Sequence, residues 1–218
     1  MLLVAHRTPP STAACRELAD LGAGMFETDV QVRPRGDTVY VSHFLGVGAF
    51  GQVLQRDNAR FRLGYGPPRD ATLTDVLARI PAQCDVLLDP KPRDAPTQRR
   101  LVAALAELLP DRRRFVVSTD REWELQAYAD AGFCTWRTIK DAAALRAALA
   151  GPPLPEAGVS VRHTVLDART IDALHERFDK IVAWTVNDPE RARRLRDHGV
   201  DGITTDQRGV YYALATAE

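Results

Sequence analysis

Strand-like and helix-like segments alternate along this chain from end to end, and no other feature limits its possible folds so strongly. Short apolar or β-rich runs at residues 2–5, 25–32, 86–88, 115–117, 133–139, 159–165, 181–186 and 202–204 read as strands. Between them, apolar residues recur three and four apart, the spacing of one helix face. Ala14, Leu18 and Leu21 form one such stripe, Leu73, Val76, Leu77 and Ile80 a second, and Leu101, Leu105 and Leu108 a third. Leu145 with Leu149, and Ile171 with Leu174 and Phe178, extend the series. A helix is expected from Asp120 to Gly132, another starts at Asp188-Pro189 and ends at Gly199, and a last one lies near 210–215. An extra strand at 38–42 follows the turn-forming Pro34-Arg35-Gly36-Asp37.

Alternating strand–helix units imply a parallel sheet, because each parallel strand must be reached by a crossover. Eight such units predict an α/β fold of the closed (β/α)8 type, a TIM barrel with one extra hairpin strand. An open doubly wound sheet would need a glycine fingerprint after the first strand, and none is present. No break in composition divides residues 1–218, so one barrel domain is expected.

Charge and cysteine content narrow the function. The 29 Lys+Arg equal the 29 Asp+Glu, which argues against a nucleic-acid binder that must neutralise phosphates. No apolar stretch approaches the roughly 18 residues of a membrane span. The opening run ends at His6-Arg7, too short for the apolar part of a signal peptide, so a cytoplasmic location is expected. Cys15, Cys84 and Cys134 suggest neither a disulfide framework nor a zinc knuckle. The segment 44–71 lacks good periodicity but holds Gly46, Gly48, Gly51, Gly64 and Gly66 with Phe44, Phe50, Phe61 and Tyr65. It reads either as a functional lid over an apolar, lipid-like part of a ligand or as packing on the barrel rim.

In such a barrel, chemistry belongs at the carboxyl ends of the strands. There the chain places His6-Arg7, then Glu27 and Asp29 two apart on one face, then His43, then Asp89 and Lys91 two apart, and finally Asp206. Three carboxylates on neighbouring strand ends repel unless protonated or bridged by a cation. All-oxygen ligands suit a hard divalent ion, Mg2+ or Ca2+. Lys91 is one of only three lysines in an arginine-rich chain, and its compact ammonium could hold a phosphate. His6 and His43 could serve as acid and base. Trp184 reads as barrel filler or pocket wall, His163 more as structural than catalytic, and Arg112-Arg113-Arg114 as a solvated turn.

The motifs Ala5-His6-Arg7, Glu27-Thr28-Asp29, Val41-Ser42-His43, Leu88-Asp89-Pro90-Lys91, Trp184-Thr185-Val186-Asn187 and Gly199 to Asp206 occur in one order. Together they resemble the glycerophosphodiester phosphodiesterase family over nearly the whole chain. The resemblance implies a divalent metal on Glu27, Asp29 and Asp89, with His6 and His43 as the acid–base pair. Arg7 and Lys91 would hold the phosphate, and Trp184 would line the pocket. The implied reaction is hydrolysis of a small-molecule glycerophosphodiester to glycerol phosphate and an alcohol. A lyase or transferase forming a cyclic phosphate, or a non-catalytic phosphate-binding barrel, are the alternatives. Thr8 stands where the family usually has glycine, Phe44 where it has aspartate, and Asp89 where it has glutamate. Pro10-Ser11-Thr12 replaces a proline-glutamate-asparagine-threonine box, and the insertion at 44–71 is short.

Overall fold

The computed structural model describes residues 1–32, 36–41, 71–92, 94–151 and 157–215, with the backbone alone of 47–49, 52–57 and 60–65. Its strands are β1 (Leu2–Ala5), β2 (Ala23–Val32), β3 (Val39–Val41), β4 (Val47–Ala49), β5 (Gln52–Asp57), β6 (Arg60–Tyr65), β7 (Asp85–Pro90), β8 (Phe115–Thr119), β9 (Cys134–Ile139), β10 (Gly158–Arg162), β11 (Ile181–Trp184) and β12 (Gly202–Thr205). Its helices are α1 (Thr12–Asp20), α2 (Leu73–Leu77), α3 (Ala95–Leu108), α4 (Glu122–Asp130), α5 (Ala142–Ala150), α6 (Ala168–His175), α7 (Pro189–Asp197) and α8 (Arg208–Ala215).

The main sheet runs β1-β12-β11-β10-β9-β8-β7-β2-β3, and a further β1–β2 pairing closes it. Eight parallel strands thus form the expected barrel, with β3 added antiparallel to β2 through Val30 opposite Val41. Ser11, Thr72, Asp94, Asp141, Asp167 and Asp188 each accept the backbone N–H three residues on, capping α1, α2, α3, α5, α6 and α7. No described helix is long and apolar enough to cross a membrane.

Alternation along each strand divides the core in two. Outward residues such as Phe26, Leu88, Val117, Ile139, Val159, Val161, Ala183 and Ile203 belong to the large cluster shared with the helices. Inward residues Val4, Met25, Leu87, Val116, Trp136 and Val182 form a second, small cluster that plugs the barrel. Gly158 makes room for it: a Cβ there would lie 3.0 Å from Trp136 Nε1 and 2.8 Å from the Lys180 carbonyl.

Two expectations need correction. The strand expected over 159–165 stops at Arg162, and His163–Val165 form a 3-10 turn leading to the Asp167 cap of α6. The segment 44–71 also contains regular structure: β4, β5 and β6 make a separate antiparallel sheet, with Gln52 opposite Tyr65 and Asp57 opposite Arg60. A period-two pattern in Phe61, Leu63 and Tyr65 was present but masked by the surrounding glycines. His43, Phe44 and Phe50 lie outside the described residues, as do the side chains of β4, β5 and β6.

Candidate active site

Two residues beyond the apolar plug, the inward positions turn polar. Val4 is followed by His6, Met25 by Glu27, Val116 by Ser118, Trp136 by Thr138, Gly158 by Ser160, and Gly202 by Thr204. Two residues further, Asp29, Asp120, Lys140, Arg162 and Asp206 add charge at the mouth. The result is a cavity of about 730 Å³ over a hydrophobic floor, a size typical of small-ligand sites.

Glu27, Asp29 and Asp89 converge on one side of it. Register pairing sets Asp29 directly beside Asp89 across β2 and β7, with Glu27 one inward step below Asp29. One carboxylate oxygen from each lies within 4.8 Å of the others. Lys91 bridges two of them, its Nζ 3.1 Å from Asp29 and 2.5 Å from Asp89. Burial lowers the Lys91 pKa, but the charges of Asp89 and Asp29 outweigh it and the net direction is upward, so the ammonium stays charged. Burial, then the neighbouring Asp29 charge, push Glu27 up to about 8. Asp89 is also raised, mainly by burial, despite Lys91. One ammonium cannot balance three carboxylates. A hard divalent cation fits this oxygen set, because it would offset both the burial of the Glu27 charge and its repulsion from Asp29 and Asp89.

On the neighbouring strand pair, His6 Nδ1 sits 2.7 Å from an Asp206 carboxylate oxygen. Asn187 steadies that carboxylate, donating from Nδ2 at 3.1 Å, while its Oδ1 accepts from the Asp206 N–H and the Thr205 hydroxyl, both at 3.0 Å. Burial lowers the His6 pKa, but the Asp206 hydrogen bond and the Glu27 and Asp206 charges raise it more, so the net shift is upward. Arg7 follows with φ +58°, a left-handed conformation that non-glycine residues rarely adopt. This turn lets the Arg7 N–H donate to the Glu27 carboxylate at 2.8 Å and the Thr8 N–H to the Glu27 carbonyl at 2.8 Å. The Thr8 hydroxyl also donates to that carbonyl, at 3.0 Å.

The opposite wall comes from β8 to β11. The Arg162 guanidinium lies 5.9 Å from the centre of the Trp184 ring. Lys140 pairs with Asp120, and Arg121 with the fully buried Glu124. His163 also lines the cavity; burial, then Arg191 and Arg162, lower its pKa and favour the neutral ring.

Of the residues singled out in the sequence, His6, Arg7, Glu27, Asp29, Asp89, Lys91 and Trp184 all line this one cavity. Trp184 is thereby wall and not filler. His43 lies outside the described residues. Sequence reasoning missed the roles of Asp206 and Asn187 as the support for His6, and it missed Arg162. The available signal for Arg162 was the inward series Gly158, Ser160, Arg162, legible only once the facing of β10 is known.

Residues 72–210 match the model of the glycerophosphoryl diester phosphodiesterase family. Over 48 residues the chain is 42% identical to the Bacillus subtilis (strain 168) protein YhdW, a stretch covering 22% of this chain and 20% of that relative. Among solved structures, an Oleispira antarctica phosphodiesterase in complex with the product sn-glycerol-3-phosphate is similar at TM-score 0.74 and 16% identity, over 99% of this chain and 97% of the other. A glycerophosphodiester phosphodiesterase from Thermotoga maritima gives TM-score 0.71 and 17% identity, over 98% of each chain. At such identities the likeness to these structures establishes the fold. His6, Glu27 and Asp29 precede the matched segment, and the barrel brings them to the same mouth as Asp89 and Asp206.

Proposed function

The chain belongs to the glycerophosphoryl diester phosphodiesterase family, whose members are phosphoric diester hydrolases, and on that premise we propose that it cleaves glycerophosphodiesters to glycerol phosphate and an alcohol, with residues 1–218 acting as one catalytic domain. The observation that carries this reading is the facing of a supported histidine, His6 on Asp206, toward three converging carboxylates in one cavity. The sn-glycerol-3-phosphate held by the Oleispira protein supports the product class.

Glu27, Asp29 and Asp89 would hold the divalent ion, which when bound supplies charge for a phosphoryl oxygen. Arg7 and Lys91 bind and orient the phosphate from the same side. His6, with Nδ1 committed to Asp206, offers Nε2 to a reacting proton. His43 is the second proton-transfer group, one histidine activating the attacking hydroxyl and the other protonating the departing alcohol.

The decisive experiment combines turnover of a glycerophosphodiester with metal titration. Excess chelator should abolish turnover, and Glu27→Ala or Asp29→Ala should weaken metal binding by calorimetry while circular dichroism stays native. Full activity in chelator would overturn the metal assignment. Asp89→Glu should remain active. His6→Ala and His43→Ala should each lose roughly 100-fold or more in turnover; a His43→Ala enzyme within about threefold of wild type would remove it from the chemistry. A cyclic phosphate as final product would replace hydrolysis with the cyclising reaction.

A further inference from the structure

The cavity has two chemically distinct sides, set by strand order. Around the barrel, β2 and β7 carry the carboxylates, and β10 and β11 stand diametrically across from them. A diester held at its phosphorus beside Glu27, Asp29 and Asp89 has room to send one ester arm toward Arg162 and Trp184.

That far wall has the wrong chemistry for a cationic alcohol. An exposed tryptophan face is the usual platform for a quaternary ammonium, but Arg162 already covers Trp184. Among the described residues no carboxylate pairs with Arg162, whereas the neighbouring Lys140 and Arg121 are neutralised by Asp120 and Glu124. The wall therefore presents one uncompensated positive charge. Beneath it lie the hydroxyls of Ser118, Thr138, Ser160 and Thr204. Thr204 is only 3% exposed, and among the described residues its Oγ1 has no hydrogen-bond partner, as is true of Trp184 Nε1. The hydroxyl side chains lining the cavity suit a ligand that brings hydroxyl oxygens.

We propose that Arg162, Trp184 and Thr204 form the subsite for the departing alcohol, and that it selects a negatively charged, hydroxyl-bearing alcohol over a quaternary ammonium. The inference rests on the phosphodiesterase reading for the bond cleaved, and on the wall formed by β10, β11 and β12 for the selectivity.

Three diesters test it: glycerophosphoinositol 4-phosphate, glycerophosphoglycerol and glycerophosphocholine, with alcohols that are anionic, neutral and cationic. Wild-type kcat/KM should fall in that order, with about a tenfold span, mostly in KM. Arg162→Met should bring the span close to unity, and Arg162→Glu should invert it. Titration calorimetry of the same diesters into the His6→Ala protein should give the same order of affinity without turnover. A preference for the choline diester in wild type, or an anionic-to-cationic ratio unchanged in both Arg162 variants, would overturn the proposal. If wild type cleaves none of the three, the phosphodiesterase reading falls, and the calorimetric order alone decides the subsite: retained order supports it, equal affinities overturn it.

Discussion

At the scale of single residues, the sharpest consequence concerns His6. Its imidazole is partly buried, which by itself disfavours the charged ring, yet Asp206 and Glu27 hold its pKa above the ordinary 6.5. Asp206 in turn is pulled below its ordinary 3.8, because the His6 hydrogen bond and charge outweigh its burial. Asp206→Asn removes the charge and keeps the shape. The His6 pKa should then fall, and the corresponding limb of the pH–rate profile should move to lower pH. Turnover should drop roughly 10- to 100-fold as the ring loses its orientation. The pair also contributes stability in a defined window. The raised histidine gives its full contribution below pH 6.5 and loses it as pH rises through the folded value, while the lowered carboxylate loses its contribution in acid. Chemical denaturation should therefore show a larger Asp206→Asn deficit near pH 6, where His6 is charged, than near pH 9, where only the hydrogen bonds and Arg7 still favour the carboxylate. Because Asp206 is 39% exposed, that deficit should stay below about 1 kcal/mol. An unmoved pH profile would mean that Asp206 does not tune His6.

At the scale of elements, the barrel depends on where strands admit no side chain and where helices are capped. Gly158 opens β10 inside the barrel, and a methyl group there meets the Lys180 carbonyl, which as backbone cannot turn aside. Gly158→Ala should cost about 1–3 kcal/mol in urea denaturation, the scale of core overpacking. A neutral result would show that β10 and β11 can slide apart. Asp188 caps α7 through the Arg191 N–H, so Asp188→Ala should cost about 1 kcal/mol, read in the same assay. The arginines at 112–114 show how an element can be misjudged from composition. Arg114 donates to the carbonyls of Cys84 and Pro81 at 2.6 and 3.2 Å, and Arg112 lies over the Phe133 ring at 5.2 Å. Only Arg113 faces solvent as a turn residue would, its side chain 90% exposed.

For the whole molecule, the proposed metal site would couple stability to ion binding through the carboxylate cluster. Glu27 titrates near 4.5 when unfolded but is raised to about 8 in the folded chain. Between those values the folded state holds the extra proton, so stability of the metal-free protein should fall as pH rises. A divalent ion bound there would replace that proton. Mg2+ or Ca2+ at about 100 times its Kd should add roughly 2.7 kcal/mol, or about 5–10 °C in Tm for a chain of this length. The thermal shift on adding metal should be larger at pH 8 than at pH 6. A shift independent of pH would place the ion elsewhere.

Periodicity determined the order of the barrel elements, the eight strand–helix units and the strand-end position of nearly every candidate group, though not β4 to β6, because alternation at two and near 3.6 residues is local. It also made Glu27 with Asp29, and Asp89 with Lys91, legible as same-face pairs. It did not show that Lys91 bridges Asp29 to Asp89, that residue 206 supports residue 6, or that Arg162 covers Trp184. Those contacts depend on closure of β1 against β2 and β12, on the register between β2 and β7, and on which face of β10 turns inward. None of these is a property of any short stretch of chain. They follow from packing a tryptophan and five aliphatic or thioether side chains into the barrel floor, which sets the inward face of the strands and, two residues further along, the side chains that meet at the mouth.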